Sequence, residues 1–288
     1  MLTYQEPLFR PPAEANSLIF QIAYGCPHNK CRFCAMYKGV RYEPKPLESI
    51  SAEIAEAARR FPDTRRVFLA DGDAMCLSFE TLKAIIEDLN GRFPRLSRVN
   101  TYANGSSILA KTAEELRDLR ELKLNTLYLG LESGDEETLR MVSKGETATE
   151  MARAVEKAQN SGFKCSVMAL LGIAGKQRSE QHAAETARII NEMSPKLLSI
   201  LRFIEVPGIK MFDGYKPLSE MEAVTELRAI IERLELDGTV FTANHASNPV
   251  PLKGRLPKDK KRLLETVDAM ISSGTLDNQS PGPLPLYL

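Results

Sequence analysis

The chain lacks net charge: 38 Lys and Arg are matched by 38 Asp and Glu. A balanced chain exerts no long-range pull on nucleic acid or on an anionic membrane surface. Any such contact has to come from a local basic groove. Long apolar runs are also missing, and none approaches the roughly 18 residues that a membrane-spanning helix requires. The opening stretch MLTYQEPLFRPPAEANS has no apolar h-region and does not read as a signal peptide. A cytoplasmic location without membrane attachment is therefore expected. Cysteine is scarce, with five in 288 residues, and in that compartment structural disulfides are not expected.

Short apolar, β-branched runs alternate with amphipathic helical patterns. The strand-like runs are residues 17–24 (SLIFQIAY), 66–70, 98–102, 126–131, 164–171 and 197–204, with a shorter one at 239–242. Between them, Leu82, Ile85, Ile86 and Leu89 fall on one helical face. Thr112 with Glu115, and Thr147 with Glu150, have the spacing of capping boxes, and Gly162 stands where a helix-ending glycine belongs. Further helices are predicted over 47–60, 179–193, 218–236 and 258–272. Strand, helix and strand repeated about six times means parallel strands with right-handed crossovers. The continuous apolar character of the strands suits a sheet covered on its outer face. An α/β barrel and a doubly wound sheet both satisfy this pattern.

Three of the five cysteines crowd into Cys26-Pro-His-Asn-Lys-Cys31-Arg-Phe-Cys34, directly after the first strand-like run. Loops that follow parallel strands are where active sites gather. Three thiolates on one loop can converge on one metal centre. Iron–sulfur clusters with purely structural or electron-transfer roles usually take four cysteines. Three leave one iron open for a non-protein ligand. The competing reading is a zinc site on Cys26, His28, Cys31 and Cys34, but structural zinc ligands usually come as two separated pairs. Cys76 and Cys165 are isolated and read as small buried side chains.

With this loop and the runs around it, the sequence resembles the radical S-adenosylmethionine superfamily. The usual motif of that family is C-x3-C-x2-C, and here the first gap holds four residues. The resemblance implies an α/β fold, a partial (β/α)6 TIM-like barrel with a C-terminal helical and extended cap. Residues 1–16 become an N-terminal extension, 17–207 the core barrel and 208–288 the extension over its mouth. It implies a [4Fe–4S] cluster on Cys26, Cys31 and Cys34, with S-adenosylmethionine on the open iron. Phe33 takes the place of an aromatic residue near the cluster and adenine. Asp71-Gly72-Asp73 stands where the family binds the amino group. Glu132 and Ser133 match its ribose and carboxylate contacts, and Gly172 its adenine motif. Asn104 and Arg202 complete the set of cofactor-binding candidates.

The chemistry so implied is reductive cleavage to methionine and a 5′-deoxyadenosyl radical, which takes hydrogen from a substrate. The protein's part is position and water exclusion. A small molecule or a peptide is the expected substrate, and a flavodoxin or ferredoxin the expected electron donor. Tyr102, Arg202 and His245 are the candidates for catalytic work, beside Asn244 and Asn248 in a segment rich in hydrogen-bonding groups. A turn rich in Asn and Ser is often only a turn. Balanced charge and the lack of a visible RNA-binding module argue against a nucleic-acid partner. A tRNA-modifying enzyme remains one alternative, and a non-catalytic protein that binds the metal or S-adenosylmethionine another. Cys31→Ala is expected to abolish both the brown colour of iron- and sulfide-reconstituted protein and its cleavage of S-adenosylmethionine. Retained cleavage would sink the ligand assignment.

Overall fold

The structure is a computed structural model that describes residues 4–6, 8–206 and 208–279. A short 3-10 turn, Pro12–Glu14, precedes β1 (Leu18–Gln21), β2 (Ala23–Tyr24) and β3 (Glu43–Pro44). Next come α1 (Leu47–Arg60), β4 (Arg66–Ala70), α2 (Phe79–Arg92), β5 (Arg98–Tyr102), α3 (Gly105–Leu109) and α4 (Ala113–Glu121). The middle of the chain forms β6 (Leu124–Glu132), α5 (Glu136–Met141), α6 (Ala148–Asn160) and β7 (Lys164–Leu171). The remainder is α7 (Ser179–Met193), β8 (Leu197–Arg202), α8 (Glu220–Arg233), β9 (Thr239–Ala243), β10 (Leu252–Leu256) and α9 (Lys260–Ser272). The α/β class follows directly from this order.

The chain divides into two compact units. The first holds the described residues up to Asn29, with Cys34–Leu129 and Arg153–Cys165. The second holds Lys30–Phe33, Gly130–Ala152 and the described residues from Ser166 on. The chain passes between them twice within the cysteine loop and once each inside β6, α6 and β7.

In the first unit β1, β4, β5 and β6 pair in that order, all parallel. Both faces of these strands are covered. Ile19, Phe68, Ala70 and Tyr128 cluster on one face with Leu8 and Tyr102, while Phe20 meets Phe93 from the other. That is why the strands read as unbroken apolar runs rather than alternating ones. One polar group enters this interior. Glu14, 2% exposed, accepts from Asn100 Nδ2 at 2.7 Å, Tyr128 OH at 2.6 Å and Ser17 Oγ at 2.5 Å.

In the second unit β7, β8 and β9 are parallel, and β10 closes the series antiparallel to β9. The expected capping boxes form at Thr112–Glu115 and Thr147–Glu150, and a further one forms at Ser219–Glu222. Gly162 takes the expected left-handed φ of 89°.

Three differences from the sequence reading have local causes. The run 17–24 is two strands, because Ile22 N still bonds Ala70 O while Ala23 and Tyr24 turn to pair with Pro44 and Glu43. β10 (LKGRL) was not foreseen, since three polar or glycine positions hide a strand whose existence rests on pairing with β9. The helix expected over 218–236 starts after its Ser219 cap and stops at Arg233. Of the tail expected to be extended, residues 280–288 lie outside the described residues, as does Pro207.

Glu14→Ala leaves three buried donors without their acceptor. It should lower stability by about 2–4 kcal/mol, read from urea denaturation of the full chain.

Candidate functional site

The cysteine loop leaves β2 with Cys26, Cys31 and Cys34 each half-buried and outside helix and strand, and no disulfide joins any of the five cysteines. Within the four-residue gap, Asn29 takes a left-handed φ of 39°, a conformation that Asn tolerates better than most side chains. Its Nδ2 donates to Tyr37 O at 2.8 Å and to Val40 O at 3.1 Å, so the extra residue is tied into the loop. Among the described residues no three Cys, His, Asp or Glu side chains converge tightly enough to hold a single ion. The donor set nonetheless fits an iron–sulfur cluster: three thiols on one partly open loop, with no competing covalent partner.

In the first unit this loop lies against the end of β4. Gly72 N donates to Gly25 O at 3.2 Å. A Cβ on Gly72 would come within 2.7 Å of Cys26 Cβ and 2.9 Å of the Tyr37 ring, so only glycine permits the approach. The flanking carboxylates are both buried at 2% exposure. Asp71 accepts from Gln21 Nε2 at 2.7 Å and Tyr37 OH at 3.0 Å. Burial nevertheless holds its carboxyl above the usual range. Asp73 accepts from Asn104 N at 3.2 Å and from Ser107 Oγ, which places Asn104 beside it through backbone. Cys76 follows in the next turn, its Sγ 2.7 Å from Tyr42 OH, and burial pushes its thiol up to about 11. Cys165 is buried, as expected.

In the second unit Arg32 N donates to Val142 O at 2.8 Å, and Phe33 packs on a cluster of Val142, Ile173 and Met211 with Leu170, Phe203, Phe212 and Tyr215. Glu132, the last residue of β6, has a left-handed φ of 62°, a strained state for a non-glycine residue. Its carboxylate folds back over Gly130, where a Cβ would lie 1.9 Å from Oε1. Buried Lys144 donates to the same oxygen at 3.3 Å. Burial pulls the Lys144 ammonium down, but the Glu132 and Cys31 charges outweigh it and hold the lysine above its ordinary value.

Behind Glu132 runs a fully buried polar chain. Ser133 Oγ accepts from Asp135 N at 3.0 Å and meets His182 Nδ1 at 2.7 Å. Thr186 Oγ1 accepts from Gly134 N and lies 3.3 Å from the same nitrogen. Each hydroxyl keeps its own proton and a second lone pair, so Nδ1 is satisfied in either tautomer, and the buried Nε2 has no hydrogen-bond partner among the described residues. That nitrogen is 3.6 Å from Glu226 Oε1. Glu226 in turn accepts from Gly172 N at 2.7 Å and from Ser179 Oγ. Burial drives His182 down to about 4 and Glu226 up to about 7, so the contact is not an ion pair at neutral pH.

The remaining candidates are engaged in other ways. Tyr102 packs edge-on against Phe68 and Tyr128 in the first unit's core. Arg202, on the strand face shared with fully buried Ile200, reaches the start of α8, donating to Leu218 O at 3.1 Å. His245 Nδ1 accepts from Ser247 N at 3.2 Å and meets Ser247 Oγ at 2.9 Å, so it organises its own turn. Asn244 is exposed, and Asn248 donates to Ile200 O at 2.8 Å. Sequence reading missed Lys144, His182 and Glu226. A signal existed for the last two: each is a polar residue on the apolar stripe of its helix, beside Ala183 and Ala187 or Ala223 and Leu227.

The model of the Radical SAM superfamily matches residues 20–187. That is more than half of the chain, and the chain belongs to this superfamily. Its members are enzymes that use a [4Fe–4S] cluster and S-adenosylmethionine, act on a substrate and need a reductant. A probable GTP 3′,8-cyclase of Archaeoglobus fulgidus is 26% identical over 188 residues, which is 64% of this chain and 60% of that protein. Coproporphyrinogen III oxidase from Escherichia coli, described as a radical SAM enzyme, is 17% identical, with a TM-score of 0.55 over 89% of this chain and 52% of its own. The radical S-adenosylmethionine methyltransferase TsrM from Kitasatospora setae, solved with cobalamin and a [4Fe–4S] cluster, is 18% identical, with a TM-score of 0.52 over 64% of this chain and 36% of its own. Likeness at these structural identities shows the fold. The chain spans 60% or less of the length of all three.

The buried pair makes a signed prediction for stability. The folded state holds the Glu226 proton up to about pH 7, so this group's contribution is complete below the ordinary carboxyl range and is lost as pH rises through 7. His182 has the opposite sign: its contribution is complete above pH 6.5 and is lost as pH falls toward 4. Glu226→Gln should therefore be more stable than the parent by up to about 3 kcal/mol above neutrality. The gap should close on acidification. Urea midpoints of both proteins at several pH values check this, and a gap that grows on acidification contradicts it.

Proposed function

We propose that this member of the superfamily holds its [4Fe–4S] cluster on Cys26, Cys31 and Cys34 and uses it to split S-adenosylmethionine. The observation that carries this reading is the loop itself: three half-buried thiols, with Gly72 clearing the space beside Cys26. When bound, the cluster supplies the electron that breaks the sulfonium C–S bond, giving methionine and a 5′-deoxyadenosyl radical that becomes 5′-deoxyadenosine by taking hydrogen from a substrate.

The chain's own residues supply binding and order. Asp71 and Asp73 are assigned to the amino group, since a carboxylate retains acceptor capacity beyond two donors. Their positions are held by Gln21, Tyr37, Asn104 N and Ser107. Glu132, turned back by its backbone and steadied by Lys144, is assigned to the ribose hydroxyls. Ser133 has its hydroxyl committed to His182 and Asp135 N, which supports a positioning place for it instead of direct contact. Phe33, Phe203, Phe212 and Tyr215 offer the apolar, aromatic surroundings that suit adenine beside Gly172. The substrate is assigned only as a small molecule or peptide, with a flavodoxin or ferredoxin as donor. Tyr102, Arg202 and His245 remain its candidate contacts.

Protein purified without oxygen and reconstituted with iron and sulfide should be brown. With dithionite and S-adenosylmethionine it should release 5′-deoxyadenosine, measured by chromatography. A colourless, zinc-containing protein rejects the cluster. A brown protein that forms no 5′-deoxyadenosine with any reductant favours a non-catalytic binding role, and deuterium transfer from labelled tRNA would favour RNA modification.

A further inference from the structure

We propose that Glu226 and His182 are positioning residues for S-adenosylmethionine, acting through the backbone of Gly172 and through Ser133 without touching the cofactor. This rests on the function proposed above, in which Gly172 and the end of β6 face the nucleoside.

The argument begins at Gly172. It is the first residue beyond β7 and has a left-handed φ of 79°. Its N–H is taken by Glu226 Oε1 at 2.7 Å, and its C=O accepts from Tyr215 OH at 3.0 Å and from Gly175 N at 3.0 Å. Both polar groups of this glycine are therefore held by side chains from other segments. Rotation of the peptide on either side would break one of these bonds. The second Glu226 oxygen takes the hydroxyl of Ser179, the first residue of α7.

The same two helices reach the end of β6. His182, three residues after Ser179 on α7, presents Nε2 to Glu226 Oε1 and Nδ1 to Ser133 Oγ. Gly134 lies so close to α7 that a Cβ there would come within 2.3 Å of Glu185 O, and its N–H is held by Thr186. A shift of Glu226 thus acts on Gly172 through a hydrogen bond, and on Ser133 through packing against His182, whose Nε2 stands 3.6 Å from Glu226 Oε1.

A carboxyl group buried without a cation carries a desolvation cost, offset here by the acceptor it gives the Gly172 N–H and the Ser179 hydroxyl. A carboxyl group is useful there when a backbone N–H has to be aimed. Outer groups of this kind affect ligand affinity by orienting the groups that bind.

The test uses the full chain, reconstituted with iron and sulfide, and equilibrium dialysis against labelled S-adenosylmethionine at one pH. Cluster content and the thermal midpoint without S-adenosylmethionine are measured beside it. Glu226→Ala should weaken binding by about tenfold or more, with cluster content kept, while the midpoint falls because the Gly172 N–H and the Ser179 hydroxyl lose their acceptor. Glu226→Gln retains an acceptor for the Gly172 N–H and should stay within about threefold of the parent. His182→Asn keeps an acceptor for Ser133 but loses the approach to Glu226, and should weaken binding measurably even if Glu226→Ala does not fold. Unchanged affinity in His182→Asn or in folded Glu226→Ala overturns the proposal. So does Glu226→Gln binding as weakly as Glu226→Ala. A parent protein with a full cluster that binds no S-adenosylmethionine overturns this proposal together with the function it rests on, whereas tight parent binding with unaltered variants overturns this proposal alone.

Discussion

A backbone N–H at the end of a parallel strand loses its ladder partner when the chain turns away, and a buried one has to find another acceptor. In this protein buried carboxyl groups take that bond. Glu226 holds Gly172 N beyond β7, and Asp73 holds Asn104 N beyond β5. Each anchors a segment that carries candidate binding residues. The arrangement ties loop geometry to side chains that come from elsewhere in the same unit. Loop position then depends on these side chains as well as on the loop's own sequence.

Charge is sorted by what stands opposite it. Asp135 is pushed up by burial, yet the two-pronged contact of Arg178, at 2.9 and 2.8 Å, and the Thr138 bonds hold it below the usual range. Glu132 has Lys144 as its cation. Glu226 has no cation and His182 no anion that it can keep, so both are driven toward their neutral forms. Paired buried charges hold a fixed charge and orientation, while unpaired ones become proton-linked.

Much of the architecture was legible. The runs at 66–70, 98–102 and 164–171 coincide with β4, β5 and β7 because strands buried on both faces leave an unbroken apolar trace. Capping boxes were legible because the hydrogen bonds they make are local, spanning three residues. β10 was not, since its residues alternate with solvent and only the register against β9 makes them a strand. Among the candidate site residues, the crowding of the three cysteines and the places of Gly72 and Gly172 after strands were visible in the sequence. Ser133 was read as a direct contact, but its buried bond to His182 depends on a residue 49 positions away.

What the sequence by itself determined is the set of properties carried by short-range pattern: the α/β alternation, the helix starts, and three thiols close enough along the chain to share one centre. Those follow from period, propensity and covalent spacing, which need no knowledge of the rest of the chain. Only the tertiary structure decided which polar residues stand behind the site. Glu226 and His182 show in sequence only as polar residues on apolar helix stripes, and Lys144 not at all, until folding removes water from them and sets what lies beside them. Burial and long-range juxtaposition change what these groups can do, and neither is a property of neighbouring residues in sequence.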